Sequence, residues 1–527
     1  MRSGLSVLVL FSMTLAIVSV FAADSTPASP PDALVAQTGA GKVRGYREKG
    51  ITAFKGIPYG DDTAKHRFQP PVAPVPWNGV RDALEFGPMA PQGNSSHAAS
   101  LMSEDCLRLN VWTPAAHDGR RRPVLVYFHG GAYSNGSVND NLYDGTALCR
   151  QGDVVVVTVN HRLNGFGYLY LAQLGGPEFA DSGNVGQLDL VSALQWVHDN
   201  IAEFGGDPAS VTIFGQSGGG AKCATLMAMP VARGLFQRVW TMSGQQLTGR
   251  TREHATATAR EVLKNLGLTP EHLDELKTIP MARLMEAFRA AGSSWTPVVD
   301  GGVLPRDPFA PDASPLSAGI PMVMGNTHDE TASLIGTGDP ETFQLTWATL
   351  PGKIAQHVQK FIGDLSPDAI VAAYRKIYPA YTPSDIFFAA STAARSWKGF
   401  VLESERRAAQ NGAPTYVYYV DWRSPLDGGK WRAPHTIDIP LVFDNVDASK
   451  YTAGFPDARI LADAMSQALV AFAHTGDPNA PGLPIWPGFN LHNRPAMIFD
   501  LPPRVENDPR GAERKLFESA PYVQPGT

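Results

Sequence analysis

Cysteine is scarce in this chain of 527 residues, occurring only as Cys106, Cys149 and Cys223. A small, odd number excludes a disulfide framework, so a protein of this size must be held together mainly by its core. The spacing of the three matches no metal site. Blocks of Lys or Arg are missing too. With 44 basic and 50 acidic side chains, a formal net charge of −6 and a pI near 6.1, the chain carries no electrostatic footprint for nucleic acid. Beyond the N-terminus no stretch is apolar enough to span a bilayer, and there is no internal repeat and no long polar linker. What is present is an ordinary globular composition, 43% hydrophobic and 18% charged, ample for a large buried core.

The N-terminus reads as a secretory signal peptide over residues 1–22. Met1-Arg-Ser is a basic tip, Leu5 to Phe21 is an apolar run, and Ala22-Ala23-Asp24-Ser25 is a small-residue exit. The alternative is an uncleaved anchor, since the run nearly reaches spanning length. Cleavage implies a secreted or periplasmic protein with no membrane attachment. The polar, Pro-containing segment from Ser25 to Val35 leads loosely into the rest.

Length alone would suit three domains, but the pattern points to one domain over residues 23–527. Val124 to Phe128, Val154 to Val159 and Val211 to Phe214 are short, nearly continuous apolar runs of the kind buried on both faces of a parallel sheet. Between the last two lies a helical stretch, Gly186 to Phe204, with Leu190, Leu194, Val197 and Ile201 on one stripe and Gly205-Gly206 as its stop. Strand, helix, strand predicts a βαβ unit and an α/β architecture. Further strands are expected at Met322 to Met324 and Tyr416 to Val420, and helices at Arg252 to Leu266 and Arg459 to His474. The 51 Gly and 43 Pro residues fit many turns and large insertions on one mostly parallel sheet with helices on both faces.

The chemistry concentrates at Gly215-Gln-Ser217-Gly-Gly-Gly220, after the strand at Val211 and before an Ala-rich helical segment, Ala221 to Met229. This is the setting of a nucleophile elbow in an α/β-hydrolase fold, where the turn holds a serine strained and exposed and glycines avoid clashes with neighbouring elements. A phosphate-cradling loop would want a different glycine spacing. A serine attacking an acyl carbon also needs donors for the developing oxyanion. His129-Gly-Gly-Ala132 follows a strand and precedes the elbow, so the amides of Gly131, Ala132 and Gly218 are the expected donors. His129 could itself be catalytic, but a histidine at the end of a buried strand more often braces its loop.

The serine needs a base, and the base an acid that fixes its tautomer, in the chain order Ser, acid, His. Downstream, His254 and His272 lie in helical patterns, as does His357; His474 ends a helix and His492 sits in a terminal loop. His435 stands apart in the loop Lys430-Trp-Arg-Ala-Pro-His435, where Pro434 stiffens the approach. It is the expected base, and the residues alone leave an ordinary loop histidine open.

Beyond the elbow, the chain resembles the type-B carboxylesterase family, the group that includes bacterial p-nitrobenzyl esterases and cholinesterases, from about Val35 to Trp486. The resemblance is carried by Phe54-Lys-Gly-Ile-Pro-Tyr59, Arg67-Phe68 with Pro70-Pro71, Ser103-Glu-Asp-Cys-Leu107 with Leu109-Asn-Val111, Asn184-Val-Gly186 with Leu188-Asp189, and Phe204-Gly-Gly-Asp-Pro208. It implies that the acid is the Glu of Gly325-Asn-Thr-His-Asp-Glu330, with Asp329 as runner-up, and that the base is His435. It also implies a structural ion pair between Glu104 and Arg67.

Several positions depart from the family's pattern. Gln216 stands where many relatives have Glu, Thr331 where a Gly is usual, and Ala90 where the first disulfide has its partner cysteine, which implies a free Cys106. No aromatic residue occurs from Pro91 to Ser100, where cholinesterases carry a cation-binding Trp, so a choline ester is a poor candidate substrate. Gln216 and Trp295 are expected at the substrate pocket, with core packing an equal reading for Trp295. The implied reaction is hydrolysis of a small-molecule carboxylic ester through an acyl-enzyme, without metal or organic cofactor. An amidase, carbamate hydrolase or lipase using the same residues is the nearest rival, and a non-catalytic binding protein the more distant one.

Overall fold

Runs of Val, Ile and aromatic residues buried on both faces build the centre of the molecule. The computed structural model describes Met1 and residues 34–93, 99–292 and 294–525; the segment read as a signal peptide lies outside the described residues. In chain order the strands are β1 (Val35–Thr38), β2 (Gly41–Arg44), β3 (Tyr46–Glu48), β4 (Ile51–Pro58), β5 (Val80–Asp82), β6 (Arg108–Thr113), β7 (Arg122–Phe128), β8 (Val155–Val159), β9 (Gly206–Gln216), β10 (Arg238–Met242), β11 (Met322–Thr327), β12 (Thr415–Val420), β13 (Pro495–Phe499) and β14 (Arg504–Asn507). A small sheet joins β1, β2 and β5, and the other eleven strands form one sheet in the order β14-β13-β12-β11-β10-β9-β7-β8-β6-β4-β3. From β8 to β13 every pairing is parallel. The pairings at the two ends, β8 with β6 through to β3 and β13 with β14, are antiparallel.

Alternate residues of each central strand feed different cores. Val124, Val126, Phe128, Val157 and Ile213 belong to one buried cluster, and Leu125, Tyr127, Val156 and Phe214 to the other. That division is why these strands read as unbroken apolar runs instead of alternating ones. On the first face lies helix Val185–Asn200, with Leu190, Leu194 and Val197 fully buried. The second face is covered by helix Pro456–Thr475 through Leu461, Met465, Leu469 and Phe472. Each such side chain contributes roughly 1.5–3 kcal/mol by leaving water.

Helix Arg252–Leu266 has the bounds its sequence predicts, because the Thr251 hydroxyl accepts from the His254 amide at its start and Gly267, at φ +76°, ends it. The stretch predicted as one helix from Gly186 to Phe204 instead divides into Val185–Asn200 and a 3₁₀ turn, Ile201–Phe204, ended by Gly205 at φ +77°. The helix expected at Ala221 to Met229 starts earlier, spanning Gly218–Leu226; its three glycines are helical residues packed against backbone, not a preceding loop. Helices Arg252–Leu266 and Met281–Ala290 enclose a third apolar cluster, with Phe68, Tyr133 and Phe166, above the end of the sheet where β9 delivers its C-terminal residues.

Candidate active site

Strand β9 ends at Gln216, and the chain reverses within one residue into helix Gly218–Leu226. Ser217 makes that reversal at φ 57°, ψ −125°, a conformation costly for a residue with a Cβ and held here by its surroundings. The Ser217 amide donates to the Met242 carbonyl on neighbouring β10 (2.7 Å), and the Ser217 carbonyl accepts from the Ala221 amide (3.0 Å). Glycine is required at the flanks: a Cβ on Gly219 would lie 1.9 Å from the Phe128 carbonyl oxygen, and one on Gly215 would lie 2.4 Å from the Gly219 backbone.

The loop after β7 packs directly against this turn. A Cβ on Gly218 would meet the Ala132 carbonyl oxygen at 2.2 Å, and one on Gly130 would meet Ser217 Cβ at 3.2 Å. Gly131 and Ala132 both have positive φ, 84° and 51°. This turn brings their amides beside that of Gly218, and among the described residues none of the three N–H groups donates to a protein acceptor. Three free donors near one serine form an anion-binding nest. Beneath it His129 is buried and stacks on His161 with centroids 4.7 Å apart, and its Nδ1–H donates to the Gly130 carbonyl (2.8 Å). Its position is that of a brace. Lys222 Nζ, fully buried, donates to the His129 carbonyl at 3.0 Å. Burial pushes Lys222 down to about 7, and burial with the nearby Lys222 charge holds His129 well below the usual imidazole range.

Acid and base come from loops after β11 and β12. The Asp329 amide donates to the Ala433 carbonyl (3.0 Å), and the Ser333 hydroxyl to the His435 carbonyl (3.3 Å), so the two loops are tied together. Glu330 is fully buried and His435 nearly so. His435 Nδ1 is in short hydrogen-bond contact with Glu330 Oε2. Glu330 Oε1 accepts from Ser243 Oγ (2.5 Å), the Thr327 amide (2.8 Å) and Asn326 Nδ2 (3.1 Å). Burial alone would raise this carboxyl, but electrostatic interaction with the neighbouring His435 ring and the hydrogen bonds hold it below its usual value. A carboxylate can only accept, so Nδ1 carries the proton and Nε2 presents its lone pair. Asp329, the runner-up, is engaged elsewhere, 3.2 Å from His328 Nδ1. Thr331 fits without its usual glycine because its hydroxyl donates to the Phe388 carbonyl (3.0 Å) and its amide to Thr392 Oγ1 (3.2 Å).

Ser217, Gly218, Ala132 and His435 line one cavity of about 120 Å³. Its other walls include Gln245, Thr296, Leu334 and Arg395. Two residues expected at the pocket lie outside this lining. Gln216 is buried with its amide against the His435 ring, Nε2 3.2 Å from His435 Nε2, because the residue before the nucleophile still follows the strand and points beneath the turn. Trp295 packs edge-on against Phe288 (5.5 Å) and lines a neighbouring cavity that shares Ala132. Arg67 and Glu104 form the expected pair, Nε to Oε2 at 2.8 Å and Nη2 to Oε1 at 2.6 Å, while Nη1 binds the Ile279 carbonyl. Cys106, Cys149 and Cys223 are buried and free. Arg395, Ser243 and Lys222 were not singled out in the sequence. Lys222 carries a local signal, a charged residue on the buried face of the helix after the elbow, but the others meet the site only through the fold.

Against known proteins, residues 32–517 match the profile of the Carboxylesterase family. Para-nitrobenzyl esterase of Bacillus subtilis (strain 168) is 34% identical over 500 residues, covering 91% of this chain and 97% of that protein. Phenmedipham hydrolase of Pseudarthrobacter oxydans is 33% identical, covering 88% and 94%. Among solved structures, a Geobacillus stearothermophilus carboxylesterase superposes with a TM-score of 0.81 at 37% identity, covering 92% of this chain and all of that one.

Proposed function

Because the chain belongs to the carboxylesterase family and has the α/β-hydrolase fold, we propose that its ester hydrolysis runs through Ser217, His435 and Glu330. The enzyme is a serine-type carboxylic ester hydrolase acting on small-molecule esters. The observation that carries the assignment of residues is the hydrogen bond from His435 to a fully buried Glu330 whose other oxygen is already saturated. That arrangement fixes the tautomer of the imidazole, and His435 and Ser217 line the same cavity.

In the first half-reaction Ser217 Oγ attacks the ester carbonyl while His435 Nε2 takes its proton. The oxygen that becomes negative sits among the amides of Gly131, Ala132 and Gly218, and the imidazolium is stabilised by Glu330. The tetrahedral intermediate collapses, His435 returns the proton to the departing alcohol, and an acyl-Ser217 remains. Water, deprotonated by His435 Nε2, then attacks the acyl carbon. Collapse expels Ser217 Oγ, which recovers the proton, and releases the acid. A lysine charge behind the His129 carbonyl supports the loop that supplies two of the three donors.

The N-terminal segment supports export, with cleavage near Ala22 giving a secreted or periplasmic enzyme. Sequencing the N-terminus of the protein recovered from the producing cell checks this, and an intact Met1 on exported protein contradicts it. The catalytic assignment is tested by offering p-nitrophenyl acetate, butyrate and octanoate to the wild type and to Ser217→Ala. Turnover confined to the wild type is expected; equal turnover by the mutant overturns the assignment.

A further inference from the structure

The cavity at Ser217 contains a cation that the ester chemistry above does not use. Arg395 lies on a π-helical turn, Ala393–Trp397, inserted between helices Pro383–Thr392 and Lys398–Ala409, and such insertions frequently mark functional sites. It lines the cavity beside Ser396, Gln245 and Thr296. Among the described residues its guanidinium makes one hydrogen bond, from Nη1 to Ser396 Oγ at 3.3 Å, and pairs with no carboxylate. The nearby acid that influences it is Glu330, yet both oxygens of that carboxylate are occupied by His435, Ser243, Asn326 and the Thr327 amide.

Several buried guanidiniums elsewhere in this chain are matched by carboxylates or carbonyls. Arg67 takes Glu104 with two prongs, Arg162 takes Asp189, and Arg510 takes Glu513. Arg407 is held by the Ser317 and Ile320 carbonyls. A guanidinium has five donors in a planar fork that matches a carboxylate, and a largely buried cation with one weak partner calls for a counter-charge. Burial also pulls Arg395 below its usual value. The remaining walls mix side-chain hydroxyls and amides with apolar surface from Ala221 and Leu334.

We propose that the preferred substrates are esters bearing a carboxylate on their acyl or alcohol part, held by Arg395 in the cavity that contains Ser217. This rests on the esterase reading and narrows it to anionic esters.

The test uses two matched pairs: mono-p-nitrophenyl glutarate against p-nitrophenyl pentanoate for the acyl side, and 4-acetoxybenzoate against phenyl acetate for the alcohol side. The wild type is expected to favour the anionic member of one pair by about tenfold or more in kcat/KM, as suits one charge-assisted hydrogen-bonding contact. Arg395→Gln should abolish that ratio mainly through KM, and Arg395→Lys should keep part of it. No anionic preference in either pair overturns the proposal. So does an equal fall for both members in Arg395→Gln, which would make Arg395 a positioning residue acting through Glu330. Calorimetry of mono-p-nitrophenyl glutarate and of 4-acetoxybenzoate on Ser217→Ala separates the two readings. Binding that requires Arg395, in an enzyme that turns over no ester, sinks the hydrolase assignment and leaves the carboxylate site. Turnover of the neutral esters without such binding sinks the carboxylate site alone.

Discussion

On one side of Ser217 a buried carboxylate is compensated on every side; on the other, a buried ammonium is not. Glu330 meets His435, Ser243, Asn326 and the Thr327 amide, and stays ionised below its usual range despite full burial. Among the described residues Lys222 meets one carbonyl, that of His129, and the face of the Tyr133 ring, but no carboxylate, and burial brings it down to about 7. Burial is the same in both places, so the number and sign of the partners decide what each charge can do. The first arrangement fixes a proton in place, on His435 Nδ1. The second leaves a proton that comes and goes near neutrality beneath the oxyanion loop.

Breaking the compensated side should have the largest effect. Ser217→Ala should lower kcat/KM for p-nitrophenyl butyrate by roughly 10⁴-fold or more, and Glu330→Gln by roughly 10³–10⁴-fold, because an amide no longer enforces the tautomer that leaves Nε2 free. Asp329→Asn, one residue away, should cost less than about tenfold, since Asp329 pairs with His328 and not with His435. Reversal of the Glu330 and Asp329 effects would move the acid to the neighbouring position. Acid should also unfold the protein partly through Glu330. Its folded pKa is depressed, so its contribution is present above the ordinary carboxyl range and is lost as pH falls through the folded value. In Glu330→Gln that part of the acid dependence of Tm should disappear.

On the other side the signs differ. The Lys222 pKa is about 7 folded against 10.5 for an ordinary lysine in water, so between those values the unfolded chain binds more protons and stability rises with pH. Lys222→Met should remove that slope, raise Tm by a few degrees at pH 7, and lower kcat by about three- to tenfold as the His129 carbonyl loses its anchor. An unchanged slope in a thermal-melt series from pH 6 to 10 would show that the charge is compensated after all. The smallest effect belongs to Gln216→Glu. A carboxylate beside the imidazole favours its protonated form, so the acidic limb of the pH–rate profile should move upward by about half to one unit.

The two sides also differed in how far they could be read in the sequence. The elbow was legible because three local signals coincide at Ser217: a continuous apolar run, glycines at fixed offsets, and a helical pattern. The oxyanion loop was legible by its place after β7. Glu330 and His435 lie 113 and 218 positions beyond Ser217; chain order and its loop pointed to His435 while leaving an ordinary loop histidine open, and only the resemblance singled out Glu330. The environment of Gln216 was missed because a residue at a strand end shows its type but not the ring it will face. Trp295 stayed ambiguous because an aromatic near a pocket and an aromatic in a core look alike until Phe288 is seen beside it. Arg395 gave no signal, since a π-helical turn has no periodicity that sets it apart over five residues.

The most direct test of the central claim is covalent. Wild type and Ser217→Ala would be incubated with a p-nitrophenyl alkylphosphonate, digested and read by mass spectrometry. One phosphonyl adduct per chain, on the peptide carrying Ser217, with equimolar release of p-nitrophenol and none from the mutant, is the predicted result. An adduct on another residue, or labelling that persists in Ser217→Ala, would contradict it.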